Sequence, residues 1–295
     1  MTSVSVEAWL ADTQGWVEAE LERSLRAERE RVPAVLADAM EYAALGGGKR
    51  FRAALVRLVG RWFGADDAAC AAPAVAVELV HAYSLVHDDL PCMDDDDWRR
   101  GRPSCHVRFG EANALLAGDA LLTKAFEVLA RTQAPWSAAA VLALARAAGD
   151  AGMVGGQVRD LGLSGGSVTL AQVEQMHAQK TGALIAVSAE LGALCAGAGS
   201  VRCGEAREWG ATLGRTFQAV DDVLDVTADK EQLGKTPGKD AAQRKPTLVA
   251  ALGLDETRRY AELQGERARV QARLWGGPWS ATGLQMVDFL LQRRS

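Results

Sequence analysis

Aromatic side chains and histidines are scarce in this 295-residue chain: Trp, Tyr and Phe together make up 6%, and there are four histidines. Few aromatics amid abundant Ala and Leu argue against a strand-rich fold, because pleated surfaces recruit β-branched and aromatic side chains. No stretch alternates apolar and polar residues for long enough to build a sheet, and no repeat of solenoid length recurs. The five cysteines (Cys70, Cys92, Cys105, Cys195 and Cys203) include no CxxC pair and no even framework. That excludes a disulfide scaffold and leaves free thiols in a reducing cytosol as the expectation. A basic excess is missing as well. The net charge of −5 and pI of about 5.5 exclude a surface built to coat nucleic acid. Residues Met1 to Gly15 contain no basic segment followed by an apolar one, so no secretory signal is expected. The longest mostly apolar run, Gly182 to Ser200, carries Glu190 and six glycines or serines, too many for a membrane span. A cytoplasmic protein without a span is the expectation.

What is present is globular. Hydrophobic residues make up 48% and charged ones 24%, with mean hydropathy near zero, enough to bury a large core. Nothing between Ala34 and Arg293 reads as a linker, so a single domain spanning 1–295 is expected. Helical periodicity dominates. It predicts helices over 16–31, 34–45, 49–63, 67–89, 111–131, 136–150, 151–162, 170–197, 204–229, 246–252, 255–274 and 279–293, with Thr169 and Ser280 as N-caps. Two of these helices are unusual. Ala68–Val86 is apolar nearly all round, yet Glu78, His81, Ser84 and Asp88 follow one another at spacings that keep them on one stripe. The helix over 204–229 repeats the pattern with Gln218, Asp221, Asp222 and Asp225 on one face. Buried unpaired carboxylates are costly, so the two stripes imply a polar cavity inside an all-α bundle.

The chemistry-bearing residues cluster around those stripes. Asp88, Asp89, Asp94, Asp95, Asp96 and Asp97 precede Arg99 and Arg100, while Asp221, Asp222 and Asp225 form a second acidic group. Asp221 and Asp225 share a helix face, and Pro91 can turn the chain so that Asp94 meets Asp88. All-oxygen sites suit Mg²⁺, which keeps several waters and takes phosphate oxygens as further ligands. Arg99 and Arg100 suit clamps on the same anion. An EF-hand is excluded, because loops starting at Asp88, Asp89 or Asp94 lack the glycine and glutamate it needs. Gly46-Gly47-Gly48-Lys49-Arg50-Phe51-Arg52 offers cations at a helix N-terminus, an anion site in principle. It is no Walker loop, since Ala43 stands where the first glycine belongs and Arg50 replaces Ser/Thr. Lys180-Thr181-Gly182, Gly234-Lys235 and Lys245-Pro246-Thr247 add weaker basic signals. His106 and His177 have no evident partners.

Together these segments resemble the trans-isoprenyl diphosphate synthases, most closely the bacterial farnesyl diphosphate synthases. The matching pieces are Gly47-Gly48-Lys49-Arg50-Phe51-Arg52, Asp88-Asp89-x4-Asp94 with Arg99-Arg100-Gly101, and Gly155-Gly156-Gln157-x2-Asp160. Lys180-Thr181-Gly182, Phe217-Gln218-x2-Asp221-Asp222-x2-Asp225, and Gly234-Lys235 through Lys245-Pro246-Thr247 continue the series. The likeness is strongest over 30–295. Ala53 and Leu248-Val249 depart from residues frequent in the family, but touch no charged ligand. The resemblance implies a single-domain bundle of about ten to twelve helices around a deep central cavity, the isoprenoid synthase type of fold. It implies Mg²⁺, three ions per site, bound at Asp88, Asp94 and Asp221, with Asp89, Asp222 and Asp225 orienting ligands or water behind them. Arg99, Lys180 and Lys235 are expected on an allylic diphosphate. Lys49, Arg52, His81 and Arg100 are expected on isopentenyl diphosphate, with Gly48 and Lys245 also on substrate and Thr181 and Gln218 beside the reacting carbons. Farnesyl diphosphate is the implied product and a homodimer the implied assembly. Tyr83 and Ser84, about one helical turn below Asp88, are the candidate determinants of product length. Geranyl and geranylgeranyl synthases are the nearest alternatives. A class I terpene cyclase would need a hydroxyl and a glutamate that Asp221-x3-Asp225-x3-Asp229 lacks, and a His-Asp phosphohydrolase would need more metal histidines. A non-catalytic subunit would be expected to have lost one of the acidic motifs.

Overall fold

Side-chain caps open several helices of this protein, seen in a computed structural model in which residues 5–163, 166, 168–227 and 246–293 are described. Ser5 accepts the Ala8 amide through its hydroxyl at 3.3 Å and opens α1 (Val6–Arg26). The helix therefore begins ten residues before the expected 16. Its buried stripe of Val6, Trp9, Leu10, Thr13, Val17 and Leu21 packs partly around a cation, which hydrophobic periodicity does not register. Arg57 donates to Thr13 at 3.1 Å and lies 4.7 Å from the Trp9 ring. Next come α2 (Ala34–Ala44), α3 (Phe51–Trp62) and α4 (Asp67–Asp88), the last capped by Asp66, which accepts the Ala69 amide at 2.8 Å.

The chain continues through α5 (Cys105–Phe109), α6 (Glu111–Arg131), α7 (Ser137–Ala148) and α8 (Met153–Leu163). Then follow α9 (Leu170–His177), α10 (Ala183–Cys195), α11 (Ser200–Thr227), α12 (Leu248–Leu252), α13 (Leu254–Trp275) and α14 (Ser280–Leu291). Among the described residues the only β structure is a two-residue antiparallel pairing of Trp98–Arg99 with Arg102–Pro103. The expected all-α class holds. Two local features differ from expectation. Thr169 forms a full capping box with Gln172, but Ser280 is the first helical residue and not the cap. Its hydroxyl donates to the Ala272 carbonyl at 2.9 Å and ties α14 to α13. The helix expected over 170–197 is interrupted by a π-helical turn at Ala178–Gly182.

Helix α4 is central. It packs against α3, α6 and α10, and Ala74, Val75, Ala76, Val77, Leu79 and Val80 are sealed from solvent. By length and composition alone α4 and the 137–163 stretch could cross a membrane. The first is 67% buried within the fold, and the second is broken between α7 and α8. Helix α10 lies against α3 on one side and α11 on the other. At Gly214 of α11 an added Cβ would fall 2.9 Å from the Gly182 Cα, so this glycine lets α11 reach the π turn. These contacts bring the ends of α4 and α11 to opposite walls of one cavity.

Candidate active site

The cavity has a volume of about 590 Å³. Its walls come from α3, α4, the segment that follows α4, α8, the π turn and α11. Past the end of α4 the chain folds back on itself. The amides of Asp94, Asp95 and Asp96 donate to the carbonyls of Asp88, Leu90 and Asp89 at 2.8, 3.1 and 3.2 Å. Asp95 takes a left-handed φ of 50° to make that turn. As expected, Asp94 returns beside Asp88 and both face the cavity, with Asp221 of α11 on the same lining. Burial, with Asp94 adding repulsion against the pull of Lys180, pushes the Asp88 carboxyl up to about 6. Asp89 points away. It is 2% exposed and accepts from Arg99 Nε at 3.0 Å and from Nη2, so it orients the arginine, not a ligand.

Cations line the same space. Arg52 is half-buried on the cavity wall, its Nε is buried without a hydrogen-bond partner, and burial lowers its pKa to about 10. His81 is held well below its ordinary range by burial and by the surrounding Arg52, Arg100, Arg50 and Arg99. It is therefore a neutral imidazole among arginines. Lys180 projects from the π turn and is ion-paired with Asp160 of α8. That approach depends on Gly156, where a Cβ would fall 2.1 Å from the Lys180 amide nitrogen. Thr181 and Gln218 complete this wall. Gln218 donates to Asp222 at 3.1 Å, and Asp222 also accepts the Leu248 amide at 2.6 Å at the start of α12. Burial raises the Asp222 carboxyl to about 7. Like Asp89, it positions a neighbour. His177, assigned nothing from sequence, lies 3.9 Å from Asp222, and His106 bonds Ser104 at 3.0 Å near Asp97.

The remaining expected site residues divide between this cavity and its surroundings. Tyr83 and Ser84 line the cavity, with the Tyr83 ring edge-on to His87 at 5.6 Å. Asp225 is exposed beyond it. Arg100 donates to the Gly47 carbonyl at 2.7 Å, its guanidinium against Gly48. Lys49 opens onto a neighbouring hollow of about 500 Å³ with Phe289 and Arg293. Arg293, which no sequence motif marks, joins the two spaces by pairing with Asp221 at 3.1 Å. At the α3 N-terminus, expected as an anion site, one amide is already taken. The Ala53 amide of its first turn already donates to the buried carboxylate of Glu78 at 3.0 Å. Gln157, Asp160, Phe217 and Glu78 are further residues at or behind the walls without an assigned role. Gln157 and Asp160 stand in a motif with Gly155-Gly156, and Glu78 on the α4 stripe, so the signals existed. Lys235 and Lys245 lie outside the described residues. Among those described, no three His, Cys, Asp or Glu side chains gather closely enough to hold a metal by themselves.

The polyprenyl synthetase family model matches residues 33–272. The chain belongs to this family. Its polyprenyl synthetase relatives include the farnesyl diphosphate synthase of Escherichia coli strain K12, 44% identical over 87% of this chain and 88% of that one. Among solved structures, an FPP/GFPP synthase from Zymomonas mobilis superposes with a TM-score of 0.83 at 32% identity, covering 95% of this chain and 98% of that one. A geranyltransferase from Helicobacter pylori, complexed with magnesium and isoprenyl diphosphate, gives 0.78 at 28% identity, covering 95% and 96%. The family's all-helical prenyltransferase architecture is thus the fold of this chain.

Proposed function

We propose that the protein condenses isopentenyl diphosphate with dimethylallyl diphosphate and then with geranyl diphosphate, releasing pyrophosphate and giving farnesyl diphosphate. The observation that carries this reading is the composition of one cavity. Asp88, Asp94 and Asp221 face a space also lined by Arg52, His81, Arg99 and Lys180, and apolar Met153, Val154 and Leu161 extend it. A diphosphate head and a hydrocarbon tail fit these two kinds of lining, and similarity to the Escherichia coli enzyme supports the assignment.

The residues fit Mg²⁺, since the donors are hard oxygens and the cavity leaves the remaining ligand positions to water and phosphate. Asp88, Asp94 and Asp221 would hold it, with three ions per site as the family likeness implies. When bound, the metal supplies positive charge for the leaving diphosphate. Arg99, aimed by Asp89, and Lys180, held by Asp160, add fixed charge at the same place. Breaking the allylic C1–O bond leaves a cation, which the Thr181 and Gln218 dipoles face. The isopentenyl double bond attacks C1, and a proton then leaves the adjacent carbon. No side chain stands out as base, and the released pyrophosphate can take that proton. Arg52, His81 and Arg100, with Lys49, hold the isopentenyl diphosphate.

The whole chain is read as one synthase domain in a cytoplasmic homodimer. Leu115 and Leu116 of α6 and Val158 of α8 are 46, 55 and 65% exposed, apolar surface that an isologous two-fold contact would cover. The test of function is product chromatography after incubating radiolabelled isopentenyl diphosphate with each allylic starter. C15 product from both starters is expected. No condensation with either would overturn the reading.

A further inference from the structure

The sequence places Arg50 between the two cations expected on isopentenyl diphosphate, and the structure turns it the other way. Arg50 is 4% exposed and takes a left-handed φ of 44°, a conformation that costs a residue with a Cβ. No cap bond from its own side chain supports α3. Its guanidinium instead donates to Glu78 at 3.2 Å, to Glu18 at 2.8 Å, and to the Ala44 carbonyl at the end of α2. Glu78, 2% exposed on α4, uses its second oxygen to accept the Ala53 amide at 3.0 Å. One buried carboxylate therefore fixes both the residue before α3 and the first turn of α3.

We propose that Arg50, clamped by Glu78, is the positioning residue for the isopentenyl diphosphate subsite: its left-handed turn sends Lys49 to one side and returns Arg52 to the cavity. The geometry has a simple logic. Lys49 and Arg52 are three residues apart, and an uninterrupted helix would stack them on one face. The reversal at Arg50 separates them, so Arg52 lines the main cavity while Lys49 opens toward Phe289 and Arg293. The same carboxylate also attracts Arg52 and Arg100 electrostatically.

This inference rests on the synthase reading for the identity of the anion. The test compares the native enzyme with Arg50→Gly, Arg50→Lys and Glu78→Gln, measuring KM for isopentenyl diphosphate and for geranyl diphosphate, kcat and Tm. Glycine accepts the φ but lacks the clamp, so it separates backbone conformation from side-chain anchoring. Arg50→Gly is expected to raise KM for isopentenyl diphosphate about tenfold or more, the effect of losing roughly one charge-assisted contact. KM for geranyl diphosphate should change less than about twofold. Arg50→Lys should recover part of the loss, and the near-isosteric Glu78→Gln should reproduce the split if Arg50→Gly does not fold. Native KM for isopentenyl diphosphate in folded Arg50→Gly would overturn the proposal. Equal rises for both substrates with a lowered Tm would also overturn it, by assigning the pair to scaffold alone. Failure of the synthase reading is distinguishable, because the native enzyme would then make no product.

Discussion

Each carboxylate in the two acidic groups acts according to what surrounds it, not to its place in a motif. Asp88, Asp94 and Asp221 face the cavity, while Asp89 and Asp222, one residue along from a cavity carboxylate, are buried against Arg99 and Gln218. Asp88→Ala, Asp94→Ala and Asp221→Ala are each expected to lower kcat by orders of magnitude with circular dichroism unchanged, since each loses an oxygen ligand but no packing. Coincident loss of helical signal would assign them to structure. Tyr83 makes a second test. Its ring is on the cavity lining, edge-on to His87, which lies 2.9 Å from the Leu115 carbonyl. Burial near Asp88 pushes its phenol up to about 12, so the ring stays neutral, as the proposed floor of the tail region requires. Tyr83→Ala is expected to shift products from C15 to C20 and longer, read by chromatography. An unchanged profile from an active variant would place the floor elsewhere.

Between elements, polar ties do work that the apolar pattern cannot show. Arg57 of α3 joins Asp12 of α1 to Asp67 at the start of α4, at 2.6 and 2.8 Å, with Arg61 also on Asp67. The Arg57 and Arg61 guanidiniums hold the Asp67 carboxyl down to about 2. Its folded pKa lies below the unfolded value, so the unfolded chain binds more protons as pH falls. The stabilisation is present above about pH 4 and is lost as pH drops toward 2. The Tm difference between native protein and Asp67→Asn should hold steady from pH 7 to about 4.5 and shrink toward zero near pH 2. Because Asp67 is partly exposed, about 1 kcal/mol is the expected size at neutral pH. A difference that persists at pH 2 would rule out the ionised pair as its source.

On the scale of the whole molecule, metal and fold are expected to be independent. No described group of three ligands forms a cage, so chelation with EDTA should abolish turnover while leaving Tm unchanged without substrate. Mg²⁺ should raise Tm only when a diphosphate is present, since binding to the folded state alone stabilises it. A fall in Tm on chelation of the substrate-free protein would indicate a structural metal. Sedimentation should give a homodimer at micromolar protein, with an active monomer as the contrary result.

Some of this architecture is local in origin and could be read along the chain. The 3.6-residue apolar period, the Thr169 capping box, the polar stripe on an otherwise apolar α4 and the turn back at Pro91 depend on residues within a few positions of one another. Those interactions exist whatever the rest of the chain does, so helix class and the two facing acidic groups were legible. The rest depends on partners far apart in sequence. Asp160 on Lys180, Glu78 on the start of α3, Arg293 on Asp221 and Thr13 under Arg57 are each set by how helices pack. A side chain's environment, burial and pairing arise only when those surfaces meet. That is why packing alone could separate Asp88 from Asp89, turn Arg50 inward from Lys49, and place a π turn where the apolar pattern ran on without a break.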